Sequence, residues 1–96
     1  LDVLRDRVAV ALAAARRDHR LRHRAAHDEL TGLLNRHGLN DACDALLPGP
    51  LGLLYLDLDG FKEVNDALGH SLGDELLRAV AQRLSDSAPE GVRLAR

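Results

Sequence analysis

The chain is 96 residues long, with 46% apolar and 29% charged side chains and a formal net charge of −2. These values fit one small, soluble globular domain rather than an intrinsically disordered chain. The single Cys43 excludes an internal disulfide, and no apolar run reaches the about 18 residues that a membrane span needs.

Only Tyr55 and Phe61 are aromatic, and Met and Trp are absent, so the core has to be built from Leu, Val and Ala. No signal-peptide pattern is visible, but the chain begins at Leu1 and a natural start can lie upstream. Charge divides it unevenly. Residues 1–26 carry seven Arg against Asp2, Asp6 and Asp18, whereas residues 27–96 carry six basic and twelve acidic side chains. That contrast implies two parts with different tasks.

Residues 1–26 contain no Gly or Pro and are rich in Ala, Leu and Arg, which predicts one long helix. Leu1, Leu4, Val8, Ala11 and Ala15 follow the three-four spacing of a short, weak coiled-coil seam. The seam gives way to Arg16, Arg17, Arg20, Arg22 and Arg24, interleaved with His19 and His23. A basic stripe can meet an anionic partner, but no aromatic residue interleaves it as single-stranded nucleic-acid binders prefer. A solvated helix face is the simpler account, and nucleic acid is not expected as a partner.

Thr31-Gly32 breaks the helical pattern, with Thr31 a natural helix cap and Gly32 a turn former. A second helix is expected over Arg36–Leu47, its apolar face made of Leu39, Ala42, Cys43, Leu46 and Leu47. Cys43 on that face reads as a small buried hydrophobe rather than a nucleophile. Pro48-Gly49-Pro50 ends the helix. Leu51–Leu58 is almost wholly apolar and predicts a strand buried on both faces of an α/β sheet. A short helix over Phe61–Leu68 closes at Gly69. A longer one over Gly73–Ser87 carries the stripe Leu76, Leu77, Val80, Ala81 and Leu84. After Pro89 and Gly91, Val92–Ala95 looks like the start of a second strand. The fold class is therefore α/β.

The chemistry-bearing stretch is Asp57-Leu58-Asp59-Gly60-Phe61-Lys62, followed by Asn65, His70 and Asp74. Two carboxylates at the end of a buried strand are costly unless a positive charge compensates them. Divalent metal is a common answer, and hard oxygen ligands suit Mg²⁺. Strand alternation puts Asp57 and Asp59 on one side. Gly60 permits a tight turn, free N–H groups at the next helix start can cradle phosphate, and Lys62 adds mobile positive charge. Asp59 also fits a helix cap for Phe61–Leu68. An Asp accepts from guanine N1 and N2, and an Asn meets the remaining edge, so Asn65 and Asp74 suit guanine. Taken alone, Asp74 fits helix capping or dipole compensation better, helped by Ser71. His70 beside Gly69 suits a structural hydrogen-bonding role better than that of a catalytic base.

The run Asp28-Glu29-Leu30-Thr31-Gly32-Leu33-Leu34-Asn35-Arg36 resembles the D-x-L-T-G-L-x-N-R motif that opens GGDEF (diguanylate cyclase) domains. Asp57-x-Asp59-x-Phe61-Lys62-x-x-Asn65-Asp66-x-x-Gly69-His70-x-x-Gly73-Asp74 resembles the run that follows it in that family. The spacing matches throughout residues 27–96. The resemblance implies a nucleotidyl-cyclase and polymerase-palm-like, ferredoxin-type α/β (α+β) core, here its N-terminal part, preceded by a signalling or linker helix over residues 1–26. It implies condensation of two GTP into cyclic di-GMP with release of pyrophosphate, using Mg²⁺ or Mn²⁺. Asp57 would ligate the metal by its carboxylate and Leu58 by its backbone carbonyl. Asn65 and Asp74 would recognise guanine, backbone N–H groups near Gly60 and Phe61 would hold phosphates with His70 nearby, and Lys62 would stabilise phosphate charge. The implied partners are GTP and a second copy, paired through the N-terminal helix with catalytic faces opposed. A cytoplasmic setting is expected, with any membrane anchor lying upstream.

The family's GG[DE]EF loop is absent from residues 1–96, and Val92–Arg96 resembles the strand that leads into it in that family. The 96-residue piece alone is accordingly expected to be inactive and marginally stable, with an open sheet edge. The positions of the family's R-x-x-D product-inhibition motif correspond to Pro89–Val92, which hold neither Arg nor Asp, so no feedback inhibition is expected there. A domain that binds GTP without turnover is the alternative activity, and a coiled-coil signalling module is a second.

Overall fold

The structure is a computed structural model and describes residues 2–96. Its elements in chain order are α1 (Asp2–Ala26), α2 (Arg36–Leu46), α3 (Phe61–Leu68) and α4 (His70–Ser87). The chain is elongated, with a radius of gyration of 18.8 Å, against about 12 Å for a compact chain of this length. Helix α1 is the reason. Its 25 residues make a rod roughly 37 Å long at about 1.5 Å per residue. None of its described residues is buried, so the seam of Leu4, Val8, Ala11 and Ala15 faces solvent and has no partner among the described residues; Leu1 lies outside them.

Helix α2 packs on α1. Its cap corrects the sequence reading: Asn35, not Thr31, is the capping residue, and Gly38 N–H donates to Asn35 Oδ1 at 2.9 Å. Thr31, four residues before the cap, is diverted because its hydroxyl donates to Asp28 Oδ2 at 2.7 Å. Asn35 also donates from Nδ2 to Ala25 O at 3.0 Å, so one side chain caps α2 and ties it to the end of α1. Gly38 is buried where the helices meet, and a Cβ there would overlap the Ala26 carbonyl oxygen. Leu39, Ala42 and Cys43 are half-buried along α2, whereas Leu46 and Leu47 at its end are exposed.

Helices α3 and α4 form the second packed pair. Gly69 joins them at φ 91°, ψ 160°, a region that disfavours any residue with a Cβ. This lets α4 start at His70, earlier than the stripe alone suggested. Ala81 on α4 is 4% exposed, and Leu77, Val80 and Leu84 beside it are half-buried. The two pairs are linked through Leu34, which is 7% exposed. Leu34 N–H donates to Leu94 O at 3.1 Å, and Arg96 N–H donates to Leu34 O at 2.7 Å. Burying that one leucine is worth about 2 kcal/mol.

The expected strands do not form a sheet among the described residues. Two isolated bridges occur, His27 with Leu34 and Leu34 with Ala95. Leu51–Leu58 runs without regular structure, and Leu53, Leu54 and Tyr55 are 71%, 89% and 94% exposed. A strand is defined by its hydrogen-bonded neighbour, and no described residue pairs with this segment. Val92–Ala95 contributes only the single bridge at Ala95.

Candidate functional site

The two motifs differ in what their side chains do. In Asp28–Arg36 the polar groups are occupied by the chain itself. Asp28 Oδ2 accepts from the Thr31 N–H at 2.9 Å as well as from its hydroxyl, and Arg96 Nη1 sits 3.1 Å away. Asp28 N–H donates to Leu33 O at 2.7 Å, and Gly32 N–H donates to Asp28 O at 2.8 Å. Burial acts to raise the Asp28 pKa, but the Thr31 hydroxyl and N–H and the Arg96 guanidinium outweigh it and hold the carboxyl below its ordinary 3.8. The whole motif is a knot joining α1, α2 and the 94–96 segment.

In the second motif the polar groups are largely free. Among the described residues, Asp57, Asp59 and Lys62 are exposed and make no side-chain hydrogen bond or ion pair. Because 51–58 is not a strand here, the alternation expected to align Asp57 with Asp59 does not operate. Leu58 is partly exposed between them. Gly60, at φ 78° and ψ 6°, is the residue that caps α3, and it offers no side-chain bond. Asp59 is therefore not the cap. The first N–H groups of α3, starting with Phe61, stay available to an acceptor. Lys62 is the second residue of α3 and Phe61, half-buried, is its first.

The α3–Gly69–α4 turn brings Asn65 against Gly73, the residue before Asp74. Gly73 is buried, and a Cβ on it would overlap Asn65 Oδ1. Asn65 Oδ1 is buried without a hydrogen-bond partner among the described residues. Asp74 follows Gly73 and is half-buried. It lies in the second turn of α4, whose cap is Gly69, so helix capping does not account for it. His70 is exposed as the first residue of α4. Gly73 as the close-packing partner of Asn65 is a site feature that sequence reasoning missed. A glycine inside a helical pattern is the available cue, since it commonly marks close approach.

The donor set suits a hard divalent cation. Asp57, Asp59 and the Leu58 carbonyl supply only oxygen within three consecutive residues, and Mg²⁺ typically takes one or two carboxylates together with waters and substrate phosphates. No three His, Cys, Asp or Glu side chains gather around one point among the described residues, so the substrate or further groups would have to complete the coordination. A shallow open cleft elsewhere is lined by His27, Leu33, Leu34, Pro89, Glu90 and Arg93 and includes no residue of 57–74.

Comparison with known proteins places the chain. The model of the family described as diguanylate cyclase, GGDEF domain, matches residues 25–96, and the chain belongs to the GGDEF family. The cyclic di-GMP phosphodiesterase PdeR of Escherichia coli (strain K12) is 47% identical over 70 residues, covering 69% of this chain and 11% of PdeR. The diguanylate cyclase DgcM of the same strain is 40% identical over 85 residues, covering 79% of this chain and 20% of DgcM. The crystal structure of the coiled coil and GGDEF domain of DgcB from Caulobacter crescentus, in complex with c-di-GMP, superposes with a TM-score of 0.69 at 32% identity. That match covers 97% of this chain and 54% of the DgcB chain. The chain thus spans a fifth or less of the two curated relatives and about half of the solved one. No described helix is long and apolar enough to cross a membrane.

Proposed function

We propose that this chain supplies the GTP-binding front of a diguanylate cyclase, which joins two GTP into cyclic di-GMP and releases two pyrophosphates. The observation that carries the proposal is the Asn65–Gly73–Asp74 arrangement. Asn65 Oδ1 is buried against Gly73 without a hydrogen-bond partner among the described residues, and the half-buried Asp74 is the next residue of α4. Asp74 accepts from guanine N1–H and N2–H, and the Asn65 amide meets the remaining edge. The uncapped start of α3 at Gly60 and Phe61 receives phosphate oxygens, favoured by the helix dipole. Lys62 neutralises charge on the phosphates, and His70 borders the site.

Asp57 and the Leu58 carbonyl would hold Mg²⁺ or Mn²⁺, which when bound lowers the pKa of the ribose 3′-hydroxyl and offsets charge on the α-phosphate. Two domains face one another, each with one GTP. The 3′-oxygen of one nucleotide bonds to the α-phosphorus of the other as the bond to pyrophosphate breaks, and a second such step closes the ring. The exposed seam of α1 suits pairing with a second copy, which would bring two catalytic faces within reach. We read residues 1–26 as the linker helix and residues 27–96 as part of a palm-like α/β core, in which Leu51–Leu58 would become a covered strand. Pro89–Val92 offer neither Arg nor Asp, so cyclic di-GMP would not inhibit through those positions.

A second reading is a domain that binds GTP without turnover, and the match to a relative named as a phosphodiesterase favours keeping it. Synthesis of cyclic di-GMP from GTP and Mg²⁺ by the full-length protein separates the two. Product supports the cyclase. Saturable GTP binding with no product supports the receptor.

A further inference from the structure

The three-four spacing of α1 does not stop at Ala15. Continued beyond Leu4, Val8, Ala11 and Ala15, the same rhythm reaches Asp18, Arg22 and Ala25. Arg16, Arg17, Arg20 and Arg24 fall between these positions, off the seam. Arg22 is therefore the one arginine of residues 16–24 that lies on the seam, and Asp18, the one carboxylate of that stretch, lies on it a turn earlier. The two are paired within the helix, with Arg22 Nη2 2.8 Å from Asp18 Oδ2. Their side chains are 80% and 58% exposed, so each keeps hydrogen-bonding capacity for a second partner. An exposed pair of this kind contributes little to the helix itself.

We propose that Asp18 and Arg22 form a charged layer between two copies of α1, paired parallel and in register, and that this layer sets the register. The inference rests on the pairing of α1 with a second copy proposed above. On an α-helix each Cβ leans toward the N-terminus, so Arg22 reaches back toward Asp18 of either helix. In the parallel in-register pair each guanidinium lies between two carboxylates, and each carboxylate between two guanidinium groups. Slipping one helix by a heptad sets Asp18 of one copy against Ala11 and carries Arg22 of the other past Ala26, so both lose their second partner. An antiparallel pair that opposes Asp18 to Arg22 is centred on Arg20 and leaves Leu4, Val8 and Ala11 with no helix residue facing them. The parallel in-register pair alone satisfies the apolar and the charged positions together. Ion pairs covered in this way add little stability, and their attested use between paired helices is to fix register. Arg22 stands about 6 Å before the end of α1 at Ala26. The layer thus fixes the height at which the two copies of residues 27–96 begin.

The test is sedimentation velocity of the full-length protein carrying Asp18→Arg or Arg22→Asp, each alone and the two mixed, with Arg20→Asp as control. Asp18→Arg makes the layer wholly positive, and Arg22→Asp makes it wholly negative. All three positions are exposed in the single chain, so the variants keep the fold. Each seam variant alone is expected to pair roughly tenfold more weakly or worse than wild type. Their mixture is expected to recover wild-type affinity as heterodimers, and Arg20→Asp to leave pairing unchanged. A bridge that works only within its own helix predicts no preference for the mixed dimer. In a Cys43→Ser background, Val8→Cys chains are expected to join by a disulfide, because in-register pairing sets the two residues face to face. Mixed dimers no tighter than the single-variant ones, or no cross-link in a dimeric protein, overturn this inference and leave the pairing of α1 standing. A wild type that stays monomeric overturns both, and none of these outcomes depends on catalysis.

Discussion

The turn at Asp28–Arg36 and the stretch Asp57–Asp74 are both dense in polar residues, yet they spend them differently. In the first, Asp28, Thr31 and Asn35 are satisfied by the chain, through contacts that reach as far as Arg96. In the second, Asp57, Asp59 and Lys62 face solvent, and Asn65 Oδ1 is buried without a partner among the described residues. Polar groups that satisfy one another hold a fold together. Exposed charges such as Asp57, Asp59 and Lys62 are satisfied by water, whereas a buried acceptor without a partner, as at Asn65 Oδ1, costs stability. On the proposed function the first motif is structural and the second binds substrate and metal, and substitutions should separate them.

The largest stability effect is expected at the first region's tightest contact. Gly38→Ala drives a Cβ into the Ala26 carbonyl, which belongs to backbone and cannot step aside. It should destabilise the full-length protein by about 3 kcal/mol, read by denaturant unfolding; a loss below experimental error would show that α1 and α2 separate freely.

Asp28→Asn comes next. It removes the charge that Arg96 and Thr31 bind, and should cost about 2 kcal/mol at neutral pH. The sign of its pH dependence follows from the lowered carboxyl pKa. The Asp28 contribution is complete above 3.8 and is lost as pH falls below it through the folded value. Wild type and Asp28→Asn should therefore converge in stability under acid. Parallel curves would mean that another group carries the effect.

Asn35→Ala should cost about 1 kcal/mol through the lost cap, with helical content falling in α2 by circular dichroism. The smallest stability effect is expected in the second region. Asn65→Ala removes a buried acceptor with no partner, so the melting temperature should hold or rise slightly. GTP binding should nonetheless weaken by roughly tenfold, since a site built to hydrogen-bond its ligand loses the most when that group is removed. A melting temperature that falls as far as in Asp28→Asn would erase the contrast between the regions.

Much of this was legible in the sequence, and the failures share a cause. Phe61–Leu68 and the end of α4 at Ser87 follow from local periodicity and from Gly69. The α2 cap was misassigned to Thr31 because capping propensity alone does not reveal that Asp28 competes for the hydroxyl. The Asp28–Arg96 pair spans 68 positions and has no local signature. Leu51–Leu58 has a strand's composition, but composition cannot provide the neighbour that makes a strand, and none is formed among the described residues. At the candidate site, the spacing named Asn65 and Asp74. Only the coordinates show that Gly73 packs against Asn65 Oδ1.

The central claim is that the second motif carries chemistry rather than structure. Its most direct test is the rate of cyclic di-GMP formation from GTP and Mg²⁺ by the full-length protein and by its Asp57→Ala variant, with melting temperatures measured alongside. Product that falls at least about a hundredfold in the variant, at an unchanged melting temperature, is the predicted result. Wild-type activity retained by Asp57→Ala, or lost only in step with unfolding, would contradict it.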